Sequence, residues 1–273
     1  MRSSLPVNIA ALLPAILLMS TVVTAADPSP VDRFEARVHD SGAVAGGKLN
    51  YRFLIPTGYD AKAPATYPLV LFLHGAGERG TDNAAQLKWG GQQLATDLQK
   101  AGKCFVIAPQ CPPGKQWVNT PWAKGSYSSD KVAISDELKM AIEVVEKAVG
   151  DYKIDKSRLY VMGLSMGGFG TWDAIVRRPD LFAAAVPICG GGDPSKAANL
   201  KGIGIWTFHG DADTAVPTAG TREMVAALRK AGVTQQTLKY NEYPGVGHNC
   251  WSKAWETKGL WEWMLASKKS SSP

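Results

Sequence analysis

One serine lies at the centre of a glycine-flanked turn, in the sequence Gly163-Leu-Ser165-Met-Gly167. The apolar run at 159–162 predicts a strand before it, and the run at 171–178 predicts a helix after it. At such a turn the serine adopts a strained backbone conformation, and the glycines let strand and helix pass close together. The hydroxyl is then displayed beside unpaired N–H groups at the helix start. Ser165 is therefore a candidate nucleophile.

A serine hydroxyl needs a base to take its proton, and the base needs an acid to hold it. The chain has four histidines. His39 lies in the N-terminal hairpin region, and His74 and His209 each precede a glycine at a strand end, where packing or turn roles are the simpler interpretation. His248 lies in a glycine-bearing loop directly after the last predicted strand. From there it can reach a serine two or three strands away, so we predict that His248 is the base.

Two aspartates compete for the role of the acid. Asp211 and Asp213 lie between Ser165 and His248, which gives the chain order Ser, Asp, His that a nucleophile elbow requires. Asp211 directly follows a glycine and could instead accept backbone N–H groups of its own turn. We favour Asp213, which lies further along the loop, and keep Asp211 as the alternative.

An oxyanion hole is expected from two backbone N–H groups, one directly after the nucleophile and one in the loop after the third strand. These belong to Met166 and Ala76. A metal site at His209, Asp211 and Asp213 is not favoured, because a third independent ligand with metal spacing is missing. Such chemistry requires neither a metal nor a cofactor.

Four motifs in this order resemble the α/β-hydrolase superfamily, and more narrowly its cap-less dienelactone-hydrolase, carboxylesterase and "predicted peptidase" branch. The motifs are Leu73-His-Gly-Ala-Gly-Glu-Arg-Gly80, Gly163-Leu-Ser-Met-Gly-Gly168, His209-Gly-Asp-Ala-Asp-Thr-Ala-Val-Pro217 and Gly247-His248. The branch is akin to acyl-protein thioesterases and secreted feruloyl or acetyl esterases. The resemblance implies that Ser165, Asp213 and His248 are nucleophile, acid and base, and that Ala76 and Met166 are the oxyanion donors. Dienelactone hydrolases proper use a cysteine nucleophile, so the serine indicates ordinary esters.

The elements that must position these residues alternate between strand and helix from Tyr67 onward, which predicts a mostly parallel central sheet with helices on both faces. Two earlier strands, at 33–38 and 48–55, predict an N-terminal antiparallel hairpin. Helices are expected at 84–101, 130–149, 218–230 and 251–266. The gap at 192–202 is too short for a cap domain. The predicted fold is an α/β-hydrolase fold in one domain.

Residues 1–26 predict a signal peptide, with Arg2 at the start, an apolar run at 9–23 broken by Pro14, and small residues before the cut. An uncleaved anchor is the alternative. The expected mature chain, residues 27–273, is a single catalytic domain that is secreted or periplasmic and has no membrane contact after cleavage. The net charge of +6 is dispersed along the chain, so no nucleic-acid partner is expected.

The four cysteines lead to one hypothesis. Cys104 and Cys111 bracket a predicted strand and are too far apart to pair with each other. Cys189 and Cys250 both follow predicted strand ends on the same side of the sheet, and we hypothesise a disulfide between them, since export permits disulfides.

Three of the nine tryptophans fall on or beside loops where the serine should emerge: Trp117, Trp122 and Trp251. Flat aromatic surface there suits sugar rings or aromatic acids, although packing that braces the loops explains them equally well. The sequence therefore predicts a secreted serine hydrolase that forms an acyl-enzyme and cleaves small-molecule or polymer-linked carboxylic esters, with carbohydrate-linked or aromatic (feruloyl or acetyl) esters favoured. A serine peptidase on short peptides and a non-catalytic binding protein on the same fold are the alternatives.

Overall fold

The computed structural model describes Met1 and residues 29–269. Apart from Met1, the predicted signal peptide at 1–26 lies outside the described residues. Within the described part of the chain, no helix combines the length and the apolar character that crossing a membrane demands.

Eight strands form one sheet in the order β1-β2-β4-β3-β5-β6-β7-β8. The strands are β1 (Glu35–Asp40), β2 (Lys48–Leu54), β3 (Tyr67–Leu73), β4 (Phe105–Pro109), β5 (Ile154–Leu164), β6 (Ala184–Ile188), β7 (Gly204–Gly210) and β8 (Leu238–Tyr243). β1 and β2 pair antiparallel, as do β2 and β4, and all other neighbours are parallel. The predicted hairpin and the mostly parallel sheet are confirmed.

Within the described residues, seven α-helices cover the sheet: α1 (Gly91–Ala95), α2 (Asp97–Ala101), α3 (Asp136–Asp151), α4 (Met166–Arg177), α5 (Ala219–Lys230), α6 (Trp251–Trp255) and α7 (Leu260–Ala266). Side chains of β3 alternate between two core layers. Leu69 and Leu71 pack in the layer of α3, α4 and α5, whereas Val70 and Phe72 pack in the layer of α1, α2, α6 and α7. The central strands are therefore buried on both faces, which explains their continuous apolar runs.

The single helix predicted at 84–101 is wrong, because this segment is not one continuous helix. The chain forms a 3-10 turn at Ala85–Leu87 and then the short helices α1 and α2. A Cβ atom at Gly90 would lie only 2.6 Å from the ring of Phe72, so the chain bends around this core side chain. The glycine pair at 90–91 weakens the helical pattern locally, and the packing of Gly90 against Phe72 interrupts the helix there.

Two other helix predictions need correction. The helix predicted from residue 130 begins at Asp136, where the Ser135 hydroxyl accepts the Leu138 N–H at 3.1 Å as an N-cap. The helix predicted at 251–266 splits into α6 and α7 at Gly259, whose φ of 81° is left-handed.

The connection between β6 and β7 adds no domain above the sheet. Between β6 and β7 the described residues hold one 3-10 helix, Pro194–Leu200, and no cap domain, as predicted.

The hypothesised disulfide is not formed: Cys189 and Cys250 are free, buried thiols in the apolar layer of α6 and α7. Burial raises the pKa of the Cys189 thiol well above its usual value, with the Cys250 side chain beside it. The pair packs as small apolar groups.

The turn between β5 and α4 shows the expected close approach. A Cβ atom at Gly167 would lie 1.9 Å from the carbonyl oxygen of Leu73, at the end of β3. Ser165 has φ 56° and ψ −120°, a conformation that non-glycine residues rarely adopt. The predicted backbone strain at this serine is confirmed.

We predict that Gly167→Ala lowers the free energy of unfolding by about 3 kcal/mol, because the new methyl group collides with backbone that cannot move aside. Gly150→Ala is the matched control: Gly150 lies in α3 with no atom within 4 Å of the added Cβ. That change should raise the free energy of unfolding by up to about 1 kcal/mol through helix propensity. Urea unfolding of both variants measures the difference, and equal effects would contradict the close approach.

Candidate active site

The structure brings Ser165, Asp213 and His248 together at the carboxyl edge of the sheet. Ser165 lies between β5 and α4, Asp213 follows β7, and His248 follows β8. His248 Nε2 lies 2.8 Å from Ser165 Oγ, and His248 Nδ1 lies 2.7 Å from Asp213 Oδ2. The histidine therefore connects the serine and the aspartate in the geometry of a catalytic triad.

The carboxylate of Asp213 is completely buried and fully hydrogen-bonded. Its Oδ1 accepts the backbone N–H groups of Ala215 at 2.8 Å and Val216 at 2.9 Å. Its Oδ2 faces His248 and also His209 Nε2, at 3.1 Å. Burial alone would raise the pKa of Asp213, but the hydrogen bonds from His209, His248 and Val216 outweigh it and hold the pKa well below the usual range. The ionised carboxylate keeps the proton of His248 on Nδ1, which leaves Nε2 free to accept one from the serine.

Asp211, the alternative acid, serves a different contact. Its Oδ1 accepts the backbone N–H of Gly245 at 2.6 Å. This bond joins the loop after β7 to the loop after β8, which carries His248. Asp211 thus accepts a backbone N–H, as expected for the competing interpretation, although the N–H comes from a different loop.

The two predicted oxyanion donors both begin helical segments. Ala76 is the first residue of the 3-10 turn Ala76–Glu78, and Met166 is the first residue of α4. The first N–H groups of a helix have no partner within it. A Cβ atom on Gly75 would lie 3.6 Å from Ser165 Cβ, so the loop that carries Ala76 passes directly beside the serine.

His74 anchors that loop. Its Nδ1 lies 2.6 Å from the carbonyl oxygen of Gly75, and its Nε2 accepts the N–H of Cys111 at 2.9 Å. The carbonyl oxygen of His74 accepts the indole N–H of Trp117 at 3.0 Å. Burial lowers the pKa of His74 to about 4, so the ring is neutral near pH 7 with its proton on Nδ1.

A cleft of about 400 Å³ opens over the serine, and we call it the catalytic cleft. Trp122 and Trp251 line it, as predicted for the rim. Trp117 does not: its side chain is 0% exposed. Its indole is held from behind by the His74 carbonyl, and its Cβ would lie 2.7 Å from a Cβ on Gly170. Trp117 is therefore a core residue that supports the loop at residues 74–78, and its predicted placement on the rim was wrong.

Two further residues of the cleft were not identified from sequence. Trp89, in the connection before α1, lines the cleft and is 41% exposed as a residue. Glu78 lies in the cleft wall and is only 5% exposed. Burial raises the pKa of its carboxyl, although the Trp89 side chain and the Lys88 charge act in the opposite direction. Glu78 belongs to the motif at 73–80, and a charged residue in that glycine-rich loop could have indicated a role in the site. No feature of the sequence around Trp89 indicates that it lines the cleft.

His209, expected to be a packing or turn residue, also contacts the carboxylate of Asp213. Its side chain is 0% exposed, and its Nδ1 lies 2.7 Å from Thr221 Oγ1. Its Nε2 lies 3.1 Å from Asp213 Oδ2 and 3.2 Å from the Val216 carbonyl oxygen. His209 therefore braces the loop that holds the acid.

The low pKa of His74 makes a pH-dependent prediction. Between its ordinary pKa of 6.5 and its folded value of about 4, the unfolded chain binds a proton that the folded chain does not. This contribution to stability is complete above the ordinary pKa and is lost as the pH falls toward the folded one. We expect the stability advantage of wild type over His74→Gln to shrink by about 3 kcal/mol between pH 7 and pH 4. Urea unfolding across this range tests it, and a pH-independent difference would contradict a neutral buried His74.

Two solved esterases have a fold similar to that of this chain. A thermostable esterase superposes with a TM-score of 0.78 and 36% identity, over 88% of this chain and 64% of that one. A ferulic acid esterase superposes with a TM-score of 0.62 and 17% identity, over 85% and 97% of the two chains. The second match, at this identity, is a likeness of fold alone.

Sequence similarity extends to the poly(3-hydroxyalkanoate) depolymerase C of Paucimonas lemoignei, which is 29% identical over 185 residues, 67% of this chain and 40% of that protein. The chain thus spans less than half the length of this relative. Residues 60–257 match the model of the Phospholipase/Carboxylesterase family, and this chain belongs to that family and has the α/β-hydrolase fold.

Proposed function

We propose that this protein is a serine hydrolase of carboxylic esters that works through an acyl-enzyme. The observation that carries the proposal is the position of His248, with one ring nitrogen 2.8 Å from Ser165 Oγ and the other 2.7 Å from Asp213 Oδ2. Membership of a carboxylesterase family supports the same reaction class.

In the first half of the reaction, Ser165 Oγ attacks the ester carbonyl carbon and gives its proton to His248 Nε2. The tetrahedral oxyanion is held by the backbone N–H groups of Ala76 and Met166, each of which starts a helical segment. When the carbon–oxygen bond to the alcohol breaks, His248 donates the proton to the leaving oxygen. The buried Asp213 carboxylate stabilises the positive imidazole while it carries that proton.

In the second half, water takes the place of the alcohol. His248 Nε2 accepts a proton from the water as it attacks the acyl-enzyme, and the same N–H groups hold the second oxyanion. Return of the proton to Ser165 releases the carboxylic acid. One ester and one water therefore give one acid and one alcohol, and no redox step or cofactor enters.

The walls of the catalytic cleft indicate the acyl group. Ala215 and Val216 present small apolar surface, and Trp89, Trp122 and Trp251 present flat aromatic surface. Such a cleft suits an acetyl group or an aromatic acid and disfavours a charged one. The name of the fold relative, a ferulic acid esterase, agrees with an aromatic acid. The signal peptide predicted at 1–26 supports action outside the cytoplasm, either secreted or in the periplasm.

The nucleophile is tested with Ser165→Ala on a panel of short and long p-nitrophenyl esters, methyl ferulate and a dipeptide anilide. We expect wild type to hydrolyse esters, with short or aromatic acyl groups preferred, and the variant to lose about 10⁶-fold in kcat. Wild-type turnover by the variant would show that the serine is misassigned. Cleavage of the anilide without cleavage of any ester would favour a peptidase, and no turnover of either would favour a binding protein.

The acid is tested with a matched pair of amide substitutions. Asp213→Asn should lower kcat/KM for a short ester about 10⁴-fold, because an amide cannot hold the charged imidazole or its tautomer. Asp211→Asn keeps an oxygen that accepts the Gly245 N–H, so it should cost less than tenfold. Equal losses in steady-state assays of the two variants would contradict the assignment of Asp213.

A further inference from the structure

A second concave surface of about 430 Å³ lies beside the catalytic cleft, and nothing in the proposed reaction uses it. We call it the outer groove. It shares Trp89 and Trp251 with the catalytic cleft, so the two spaces meet at this pair of indoles. A substrate whose ester lies at Ser165 can therefore extend past the pair into the outer groove.

The shared wall is firmly held. The rings of Trp89 and Trp251 are 6.0 Å apart, and Trp251 meets the His248 ring edge to face at 5.6 Å. Trp255, which also lines the outer groove, donates its indole N–H to the carbonyl oxygen of Trp89 at 2.8 Å. Aromatic surface thus continues from His248 to the far side of the groove.

Exposure of the Trp89 ring is unusual within this protein. Among the described residues only Met1, Val38 and Trp89 are large hydrophobic side chains that remain exposed, and Trp89 is the aromatic one, at 41%. Lys88 Nζ lies 4.9 Å from the centre of its ring. An exposed indole that borders two adjacent clefts offers aromatic surface to a ligand.

The rest of the groove lining is polar. Gln92 and Gln93 supply side-chain amides, and Asp97 and Glu256 supply carboxylates. Asp97 Oδ1 lies 3.9 Å from Lys100 Nζ, in a long and solvent-exposed ion pair. The carboxylate oxygens of Asp97 can therefore still accept hydrogen bonds from a ligand. The groove therefore combines stacking surface with hydrogen-bond acceptors and donors.

This combination distinguishes between two kinds of polymer-linked ester. Pyranose rings have an apolar face for an indole and hydroxyl groups that donate and accept hydrogen bonds. An aliphatic polyester chain carries only carbonyl and ester oxygens, which are acceptors. The carboxylates of Asp97 and Glu256 are acceptors too, so a polyester would desolvate them without replacing their hydrogen bonds from water. The lining chemistry favours a carbohydrate.

We propose that the outer groove is a sugar-binding subsite that holds the carbohydrate part of an ester substrate while its acyl group lies in the catalytic cleft. The sugar is then the alcohol that leaves when the acyl-enzyme forms. This inference rests on the proposed ester hydrolysis and adds the class of alcohol.

The test compares two esters with the same acyl group, methyl ferulate and ferulate esterified to an arabinoxylan oligosaccharide, with 3-hydroxybutyrate oligomers as a third substrate. The variant is Gln93→Ala/Asp97→Ala, which alters the outer groove alone. The matched control is Asp136→Asn in α3, on the other face of the sheet. Circular dichroism and thermal unfolding verify that both variants fold.

We expect wild type to prefer the sugar-linked ester, and the ratio of kcat/KM for the sugar-linked over the methyl ester to fall about tenfold or more in the groove variant. The control should keep the wild-type ratio. An unchanged ratio in the groove variant, or no preference in wild type, overturns the proposal. A loss confined to the 3-hydroxybutyrate oligomers overturns it in favour of a polyester.

A binding measurement separates this proposal from the proposed function. The Ser165→Ala protein keeps the groove, so titration with a xylo-oligosaccharide should quench its tryptophan fluorescence, and adding Gln93→Ala/Asp97→Ala should weaken that binding about tenfold or more. Sugar binding without ester turnover in wild type would refute the hydrolase and leave the subsite intact. Turnover of methyl ferulate without sugar binding would refute the subsite and leave the hydrolase intact.

Discussion

The first turn of α4 lies against the end of β3 so closely that residue 167 has no room for a side chain, since a Cβ atom there would lie 1.9 Å from the Leu73 carbonyl oxygen. Two consequences follow from this one contact. The chain must reverse sharply at Ser165, which takes a positive φ and projects its hydroxyl. The residues directly after Leu73, including Ala76, must also pass beside that serine. The proposed nucleophile and the proposed oxyanion donors are thus positioned by the same backbone approach.

Two buried side chains of the site keep one protonation state for different reasons. His74 is buried against neutral backbone groups, so its charged form is disfavoured and its pKa falls to about 4. Asp213 is buried among donors, so its charged form is favoured and its pKa falls as well. A neutral His74 holds the loop that carries Ala76, and the ionised carboxylate of Asp213 orients His248. Near neutral pH neither group changes its charge, so the proposed mechanism assigns the proton transfer to His248.

The tryptophans near the site differ in how far their rings are enclosed by neighbouring residues. Trp117 donates to the His74 carbonyl and is enclosed by the core, so it supports the site from behind. Trp255 donates to the Trp89 carbonyl and thereby fixes the wall between the catalytic cleft and the outer groove. Trp89 and Trp251 are then free to present aromatic surface to both spaces. Residue type alone did not separate these roles.

Local residue chemistry and chain order were sufficient to predict the parallel sheet and the residues that could meet in the candidate site. The continuous apolar runs predicted the parallel sheet because strands buried on both faces need no polar alternation. The glycines around Ser165 and the order Ser, Asp, His predicted which residues could meet, since motif spacing reflects backbone geometry within a few residues. Tertiary structure decided what depends on contacts between distant segments. Asp211 is occupied by Gly245 from another loop, Phe72 interrupts the helix at Gly90, Trp117 is enclosed, and Trp89 is left exposed. Each of these outcomes depends on which distant segment packs against the residue, and residue type and local spacing do not specify that segment.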